Sequence, residues 1–417
     1  MFDTLRAQAF PENREFMNTD PTNHPNLKSW QRSAIRNTMA NYRRAQEDYY
    51  VQGKPLVELE NGHKAFSLLT PPLGSPAARR RVRLIMDNML ESGSAAQASR
   101  ALPPGARTPH VATIAVTYNC QCQCLHCSAA LYQEQTQQSR SSLTFAELKS
   151  AVEQTVELGT TCVVFTGGEP LLFEKIYDLI AAVDKARSVC TIFTNGEFLL
   201  EHTVEKLSRA GVFGVFVSFD HANAALHDQH RQRPGLARKA ARGLALCQQA
   251  GILTGISTYA TKEKIRNREL DDMMELAREL KVLEVFLFDV IPTGRLSHQH
   301  ECLLDDGEAG QIREFRARYT QKPEYPRIIH QTMFSSIAYP CVAEGCPAGM
   351  VQVHLRANGD VCPCDFTPYS FGNIRRQPLK EIWDAMTRSS LYEQPSARCR
   401  LSRPEFWVKL EELNALP

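Results

Sequence analysis

Residues 113–127 read TIAVTYNCQCQCLHC, an apolar run that ends in a cysteine-rich loop. The apolar, β-branched half predicts a buried strand, and Cys120, Cys124 and Cys127 follow it with C-x3-C-x2-C spacing. Three thiolates in one loop can each bind a corner of a cubane iron–sulfur cluster, which leaves the fourth iron without a protein ligand. Because zinc sites with an open position are catalytic, an open iron here predicts a catalytic centre.

Two other interpretations of the loop stay open. A zinc site that lacks its fourth ligand would use the same residue types, and so would a redox pair of Cys124 and Cys127. Cys122 is an additional thiol inside the loop. The three-cysteine pattern does not require it, so we predict that Cys122 is not a ligand.

The chain around this loop alternates between strand and helix patterns. Apolar runs occur at 112–117, 161–166, 189–194, 212–219, 252–260 and 283–291, with helical patterns near 144–158, 174–187, 202–210, 236–250 and 267–280. Strands without polar alternation are typical of a parallel sheet that is covered on both faces. The pattern predicts an α/β fold, a partial (β/α)6 barrel, with functional groups at the C-terminal ends of its strands.

Polar and glycine-containing segments follow these strands in register. The second strand leads into TGGEP at 166–170, where glycines allow close backbone approach and Glu169 offers a charged acceptor for a cation. Asn195 follows the third strand, and Ser218 and Asp220 end the fourth. A segment reading HDQHRQRPG, residues 227–235, comes next.

Together these segments resemble the radical S-adenosylmethionine (radical SAM) superfamily, and the resemblance covers about 110–385. It implies a catalytic 4Fe–4S cluster on Cys120, Cys124 and Cys127, with S-adenosylmethionine on the fourth iron. In this family the reduced cluster cleaves that cofactor to a 5′-deoxyadenosyl radical, which abstracts hydrogen from a substrate. The resemblance also implies a set of cofactor-binding residues: His126, Gly167, Gly168, Glu169, Asn195, Ser218, Asp220 and Arg233.

A second group of cysteines lies near the C-terminus. The spacing Cys346-x12-Gly359-x4-Cys364 resembles the opening of a SPASM domain, in the shorter version called twitch. It implies one auxiliary iron–sulfur cluster, and a zinc ribbon is the alternative. Cys362 and Cys364 are two residues apart and would point the same way in a strand. The expected ligands are Cys341, Cys346, Cys362 and Cys364, with Cys399 as a substitute.

Breaker-rich segments at 71–76 and 103–105 separate the first part of the chain from the rest. Helix-prone stretches at 27–50 and 77–89 predict a helical N-terminal extension over 1–105. The barrel then covers 106–320 and the SPASM/twitch-like domain covers 321–417. The extension could pack on the barrel, cap the active site or recognise the substrate, and the sequence leaves these open.

The composition limits which partners and which cellular compartment we expect for the protein. Lys and Arg total 48 against 46 Asp and Glu, which gives no electrostatic reason to expect nucleic acid. No apolar stretch is long enough to span a bilayer, and the first residues lack the apolar region of a signal peptide. Thirteen cysteines without an export signal are typical of a reducing compartment, so we expect a cytoplasmic protein.

The resemblance implies a radical SAM enzyme whose first expected substrate is a peptide, with a tetrapyrrole or small metabolite as the alternative. It also implies a flavodoxin- or ferredoxin-type reductant. A non-catalytic iron–sulfur or zinc protein is the competing class. Glu169 and its glycines argue against that class, because a pure electron carrier needs no receptor for an ammonium group.

Overall fold

A computed structural model describes residues 54, 56–91, 107–133, 142–332 and 345–414. The helix expected over 27–50 and the candidate ligand Cys341 lie outside these residues. Two short strands come first, β1 Val57–Glu58 and β2 Lys64–Ala65, and they pair as an antiparallel hairpin. Within the described part of the chain we find no helix with both the length and the apolar character that crossing a bilayer requires.

A ten-stranded sheet forms the centre of the described fold. Its order is β12-β11-β10-β3-β4-β5-β6-β7-β8-β9, and every pairing from β10 through β3 to β9 is parallel. The six strands that the sequence predicts are β3 to β8, and they lie side by side in chain order. The strands are β3 Val111–Thr117, β4 Cys162–Gly167, β5 Val189–Thr194, β6 Gly214–Ser218, β7 Leu253–Ala260, β8 Glu284–Asp289, β9 Arg327–His330, β10 Gln352–Leu355, β11 Asp360–Cys362 and β12 Gly372–Asn373.

The continuous apolar runs form strands because both faces of the sheet are buried. Alternate residues such as Val163 and Phe165 pack outward against the helices, whereas Val164 and Phe216 pack inward. The helices are α1 Pro76–Glu91, α2 Phe145–Glu157, α3 Ile176–Ala182, α4 Glu201–Ala210, α5 Ala224–Arg231, α6 Leu236–Gln249, α7 Lys262–Arg266, α8 Glu269–Glu279, α9 Asp306–Thr320, α10 Leu379–Arg388 and α11 Pro404–Asn414. The α/β prediction is therefore confirmed.

Four strands beyond the predicted six extend the sheet, β9 on one side and β10, β11 and β12 on the other. β9 pairs with β8, although it lies after the predicted end of the barrel at residue 320. β10 pairs with β3, and the C-terminal cysteine region thereby continues the barrel sheet through β11 and β12. The cysteine-rich C-terminal part is thus joined to the first barrel strand by backbone hydrogen bonds.

The described part of the N-terminal extension packs at the end of the barrel where the strands begin. Leu68 and Ala65 lie in one apolar cluster with Val111, Cys162 and Val189, the first residues of β3, β4 and β5. Ser67 Oγ and Leu68 N donate to the Glu284 carboxylate at 3.1 and 3.0 Å. This part is a hairpin plus one helix rather than helix alone, and it closes the opposite end from the cysteine loop.

Candidate active site

A cavity of about 290 Å3 lies where the strands end, and it brings together the two cysteine groups that the sequence singles out. Cys120, Cys124 and Cys127 line one wall. Side chains of Phe193, Phe286 and Phe288 give the interior an aromatic surface, and Leu69 of the N-terminal segment also contacts the cavity. The second cysteine group lines it through Cys346, Cys364 and Cys399.

The cysteine loop directly follows β3, and the end of α5 holds it in place. The backbone N–H groups of Gln123 and Leu125 donate to the carbonyl oxygens of Arg231 and His230, each at 3.1 Å. Leu236, the first residue of α6, packs against Cys122 and Cys124. Two helix ends therefore fix the loop that the sequence identifies as the catalytic centre.

Cys122 lies among the other cysteines of this loop. Its thiol is hydrogen-bonded to the sulfurs of Cys120 and Cys124, and the Cys122 hydrogen bond lowers the pKa of Cys124 to about 7. Burial raises the pKa of Cys127 to about 11. That Cys122 is not a ligand stays a prediction, because its thiol contacts the sulfurs of two proposed ligands, Cys120 and Cys124.

Among the described residues, no group of three His, Cys, Asp or Glu side chains converges closely enough to hold a single metal ion. A cubane cluster makes a different demand, because each cysteine binds a different iron atom at a different corner. The donor set of the loop, three thiols facing one cavity, has the chemistry that such a cluster uses.

Gly167 and Gly168 allow β4 to approach the start of the cysteine loop. A Cβ on Gly167, whose φ is +135°, would lie 2.0 Å from the carbonyl oxygen of Thr117, and one on Gly168 would lie 2.3 Å from that of Asn119. Gly168 N donates to Thr117 O at 2.7 Å, and Glu169 N donates to Asn119 O at 2.8 Å. Any side chain at these two positions would push the segment away from the loop.

Glu169 differs from the expected ammonium receptor. Its carboxylate is fully buried and does not line the cavity. It accepts hydrogen bonds from Thr194 Oγ1 at 2.7 Å, Asn195 N at 2.8 Å and Leu171 N at 3.1 Å. Burial raises the pKa of Glu169 to about 7, although these hydrogen bonds oppose the shift. The carboxylate ties the end of β4 to the end of β5, which is a structural role the sequence pattern does not reveal.

Asp220 and Arg231 form a buried ion pair at the end of β6. Arg231 Nε and Nη2 donate to the two carboxylate oxygens, each at 2.8 Å, and both residues line the cavity. The Arg231 charge helps to hold the pKa of Asp220 below its usual range, against the opposing effect of burial. Asp220 is therefore already paired, and its backbone N–H donates to His227 Nδ1 at 3.0 Å.

Arg233, the arginine that the sequence favours as a cofactor ligand, lies outside the cavity. It forms a bidentate pair with Glu197 at 2.8 and 2.9 Å and is 40% exposed. Arg231 is the arginine that faces the cavity. The spacing H-D-x-x-R, counted from His227, points to Arg231 and could have found it.

His126 and Tyr259 form an aromatic pair in the cavity wall. Their ring centroids are 4.0 Å apart, and His126 Nε2 lies 3.7 Å from Asp220 Oδ1. Burial lowers the pKa of His126 to about 4, so the ring is neutral near pH 7. The Lys264 ammonium lies 3.6 Å from the centroid of the Tyr259 ring. A neutral, paired imidazole at this wall offers a flat face to a planar ligand.

Three polar side chains lie at the cavity surface with capacity to bind a ligand. Asn195 accepts hydrogen bonds through Oδ1 from Gln121 and Glu197, but its buried Nδ2 has no partner. Thr258 Oγ1 is likewise buried without a partner. Ser218 Oγ contacts Ser257 Oγ at 3.2 Å. Because unpartnered buried groups are costly, the two orphaned atoms fit a polar ligand such as S-adenosylmethionine.

The second cysteine group consists of Cys346, Cys364 and Cys399 in the described residues. A hydrogen bond from Cys399 lowers the pKa of Cys346 to about 6, which favours a thiolate there. The Cys364 sulfur lies 3.1 Å from Thr367 Oγ1. These three thiols have the chemistry of iron–sulfur ligands, and Cys399 lies with them rather than apart.

Cys362 differs from the expectation that it points the same way as Cys364. β11 ends at Cys362, so the two-residue strand period does not extend to Cys364. Cys362 is fully buried, does not line the cavity and lies near the Arg356 guanidinium. Cys362 therefore does not share the cavity with Cys346, Cys364 and Cys399.

Two carboxylates in the cavity wall were not found from the sequence. Asp289, the last residue of β8, accepts from His330 Nε2 at 2.8 Å and from Gln331 Nε2 at 3.0 Å. Asp365 accepts from Thr113 Oγ1 at 3.0 Å and from Gln352 Nε2 at 2.9 Å, and lies 3.1 Å from His354 Nδ1. Their partners lie on β3, on β10, and on or next to β9, so only the folded sheet assembles these groups.

Comparison with known proteins agrees with this geometry. Residues 114–277 match the model of the radical SAM superfamily, and residues 346–402 match that of SPASM, an iron–sulfur cluster-binding domain. The chain belongs to the radical SAM superfamily and carries a SPASM domain. It is therefore an enzyme that uses S-adenosylmethionine and iron–sulfur clusters.

Similar proteins within this superfamily act on different substrates. The chain is 28% identical to the AdoMet-dependent heme synthase of Methanosarcina barkeri, over 66% of this chain and 82% of the relative. It is 24% identical to the PqqA peptide cyclase of Gluconobacter oxydans, over 64% of this chain and 75% of the relative. Among solved structures, Streptococcus suis SuiB bound to the precursor peptide SuiA matches with a TM-score of 0.55 and 17% identity, over 73% of this chain and 69% of SuiB.

Proposed function

We propose that this radical SAM enzyme binds its catalytic cluster through Cys120, Cys124 and Cys127 and an auxiliary cluster through Cys346, Cys364 and Cys399. The observation that carries the proposal is the single cavity that both cysteine groups line. When bound, a reduced catalytic cluster supplies the electron that cleaves S-adenosylmethionine, and the resulting radical takes hydrogen from the substrate. Cys346, Cys364 and Cys399 line the same cavity, so a cluster held there would be available to the substrate as an electron acceptor.

The chain's own residues would bind and orient the cofactor. Asn195 Nδ2 and Thr258 Oγ1 offer unpartnered polar atoms at the cavity surface. His126, held against Tyr259, offers a neutral aromatic face. Gly167 and Gly168 keep the second strand close to the cysteine loop, and Glu169 ties its end to β5. In this proposal Glu169 positions the cofactor site without contacting the cofactor.

The aromatic interior would exclude water from the reacting atoms. Phe193, Phe286 and Phe288 contact one another, with centroid separations of 4.4 to 6.2 Å. Leu69 closes the inner end of the cavity from the N-terminal segment. A dry cavity protects a carbon radical from side reactions. Asp289, with a lone pair on each oxygen beyond its two hydrogen bonds, is the group we propose as proton acceptor for the substrate.

For the substrate we propose a tetrapyrrole first and a peptide second, which reverses the order that the sequence alone suggests. The tetrapyrrole is favoured by the heme synthase relative, of which the chain covers 82%. The peptide is favoured by the peptide cyclase relative, at lower identity over a shorter share of that protein.

An anaerobic assay separates the two. The reconstituted enzyme is incubated with S-adenosylmethionine and dithionite, and either iron coproporphyrin III or a peptide encoded beside its gene is added. We expect 5′-deoxyadenosine to form together with a change in the mass of the tetrapyrrole. A mass change of the peptide alone would select the second candidate, and no 5′-deoxyadenosine under any condition would contradict the proposed function.

A further inference from the structure

Cys122 lines the same cavity as the other cysteines of its loop, but the proposed set of iron ligands does not include it. Its side chain is 5% exposed. The four cysteines of the loop pack in one cluster with Leu236, which is fully buried. The thiol of Cys122 is hydrogen-bonded to the sulfurs of Cys120 and Cys124. A thiol that contacts two ligand sulfurs can act on a cluster without binding iron itself.

The backbone of the loop fixes the direction in which Cys122 points. The N–H groups of Gln123 and Leu125 donate to carbonyl oxygens at the end of α5, each at 3.1 Å. The side chains of Gln123 and Leu125 are exposed, whereas those of Cys122 and Cys124 are buried and line the cavity. Leu236 packs against both of these sulfurs. The loop therefore presents Cys122 and Cys124 together to the interior.

Iron binding decides which sulfur in this group carries a proton. A cysteine ligates iron as a thiolate, and a thiolate has no proton to donate. With Cys120 and Cys124 as ligands, Cys122 is the member of the hydrogen-bonded group that keeps its S–H. The hydrogen bond then runs from the thiol of Cys122 to a ligand sulfur, and its direction is fixed.

A donor at this position acts on the reduction of the cluster. Hydrogen bonds to the sulfurs are among the properties that set the reduction potential of an iron–sulfur cluster. Reduction adds one negative charge that the ligand sulfurs share, so an S–H donor stabilises the reduced form more than the oxidised form. Arg231 and Asp220 also act on Cys124, but they are paired with each other and their charges oppose. Burial of the thiol strengthens the hydrogen bond, because little water competes for it.

We propose that Cys122 raises the reduction potential of the catalytic cluster by donating an S–H hydrogen bond to the ligand sulfur of Cys120 or Cys124. The inference rests on the proposed function, in which Cys120, Cys124 and Cys127 bind that cluster. Cys122 acts through these ligands and contacts neither iron nor substrate. A higher potential makes the electron that cleaves S-adenosylmethionine easier to supply from an external reductant.

The test compares two substitutions of Cys122. Cys122→Ala removes the donor, whereas Cys122→Ser keeps a hydroxyl donor at the same position. Each reconstituted variant is titrated anaerobically with redox mediators, and electron paramagnetic resonance follows the reduced cluster whose signal changes when S-adenosylmethionine is added. We expect Cys122→Ala to disfavour reduction by roughly tenfold, since hydrogen bonds to charged groups are strong but a thiol is a weak donor. Tenfold corresponds to a potential lower by about 59 mV for a one-electron couple. Cys122→Ser should retain the potential of the unsubstituted enzyme or exceed it, because a hydroxyl is the stronger donor.

Two further measurements separate this role from a structural one. Iron and sulfide content should stay unchanged in both variants. Cleavage of S-adenosylmethionine by Cys122→Ala should be slower with dithionite and should recover with the stronger reductant titanium(III) citrate. Cys302→Ala removes a thiol that does not line the cavity, and as the control it should leave the potential of the catalytic cluster unchanged.

Three results would overturn the role of Cys122. The first is an equal potential in Cys122→Ala and in the unsubstituted enzyme. The second is an equal fall in the Ala and Ser variants, because the hydroxyl donor would then have no effect. The third is a loss of about four iron atoms from Cys122→Ala, which would make Cys122 a ligand. An unsubstituted protein whose cluster signal does not respond to S-adenosylmethionine would instead overturn the proposed function, and this inference with it.

Discussion

At the scale of single residues, Cys362 and Cys364 are neighbours in sequence with different surroundings. Cys364 lines the cavity with Cys346 and Cys399, whereas Cys362 ends β11 and is buried near Arg356. We expect Cys364→Ala to lower the iron content by about four atoms per chain, the content of one cubane. Cys362→Ala is the matched control and should keep its iron. Equal losses in the two variants, measured by iron and sulfide analysis, would contradict this assignment.

His227 gives the apo-protein a pH dependence. Burial lowers its pKa to about 4, and its Nδ1 accepts the Asp220 N–H, which requires the neutral ring. An unfolded histidine titrates near pH 6.5, so the unfolded state binds an extra proton as pH falls from about 6.5 to about 4. Stability is therefore lost across that window.

His227→Asn keeps an acceptor and removes the titration. Between pH 7 and pH 5 the variant should lose less stability than the unsubstituted chain, by about 1–2 kcal/mol. Urea unfolding of the cluster-free protein at both pH values measures the difference. His202→Asn, on the exposed face of α4, should behave like the unsubstituted chain, and a similar effect from that control would remove His227 as the cause.

Residue types at strand ends could be read from the sequence, but their partners could not. The loop cysteines, Asn195, Ser218 and Asp220 all reach the cavity as expected. Glu169 does not, because Thr194 and Asn195 occupy its carboxylate. A motif shows which group is present, whereas the direction of a buried carboxylate depends on donors from another strand.

At the scale of elements, the sequence predicts strands β3 to β8 but does not predict β9 and β10. The six predicted strands are apolar throughout, and that pattern is enough to identify them. β9 and β10 have four residues each. β9 pairs with β8, whereas β10 pairs with β3, which lies more than 200 residues earlier in the chain. Short strands carry little local signal, so only pairing in the folded sheet defines them.

Lys54 anchors the N-terminal segment to the barrel. Its ammonium donates to the carbonyl oxygens of Tyr319, Lys322, Tyr325 and Pro326 at 2.9 to 3.3 Å. Burial lowers the pKa of Lys54 to about 8. Lys54→Met would leave these oxygens without their charged donor, and we expect a loss of about 1–3 kcal/mol.

The measurement is the free energy of unfolding in urea, accompanied by limited proteolysis of the N-terminal segment. Lys149→Met, at an exposed helix position paired only with Glu153, serves as the control and should change stability by less than about 0.5 kcal/mol. Identical stabilities for the two variants would show that the hydrogen bonds from Lys54 to these carbonyl oxygens do not hold the N-terminal segment in place.

At the scale of the whole molecule, the order of the sheet explains why two distant cysteine groups face one cavity. The first group follows β3; in the second group, Cys346 precedes β10 and Cys364 follows β11, and these strands extend the sheet on the other side of β3. β8 and β9 bring Asp289 and His330 to the opposite side of the six central strands. The chain thus places the two proposed cluster sites around one largely apolar space.

This arrangement predicts the iron content of the intact enzyme. Two separate cubanes correspond to about eight iron and eight sulfide per chain after anaerobic reconstitution. Replacing Cys120, Cys124 and Cys127 together with Ala should remove about half of the iron and abolish cleavage of S-adenosylmethionine, because the second cysteine group keeps all of its thiols. Electron paramagnetic resonance of the reduced triple variant should then show the auxiliary cluster alone. Cys122→Ala should retain nearly all its iron if that thiol is not a ligand. Zinc near one atom per chain, in a protein without the brown colour of iron–sulfur clusters, would contradict both assignments, since the same cysteines would then be serving a different metal.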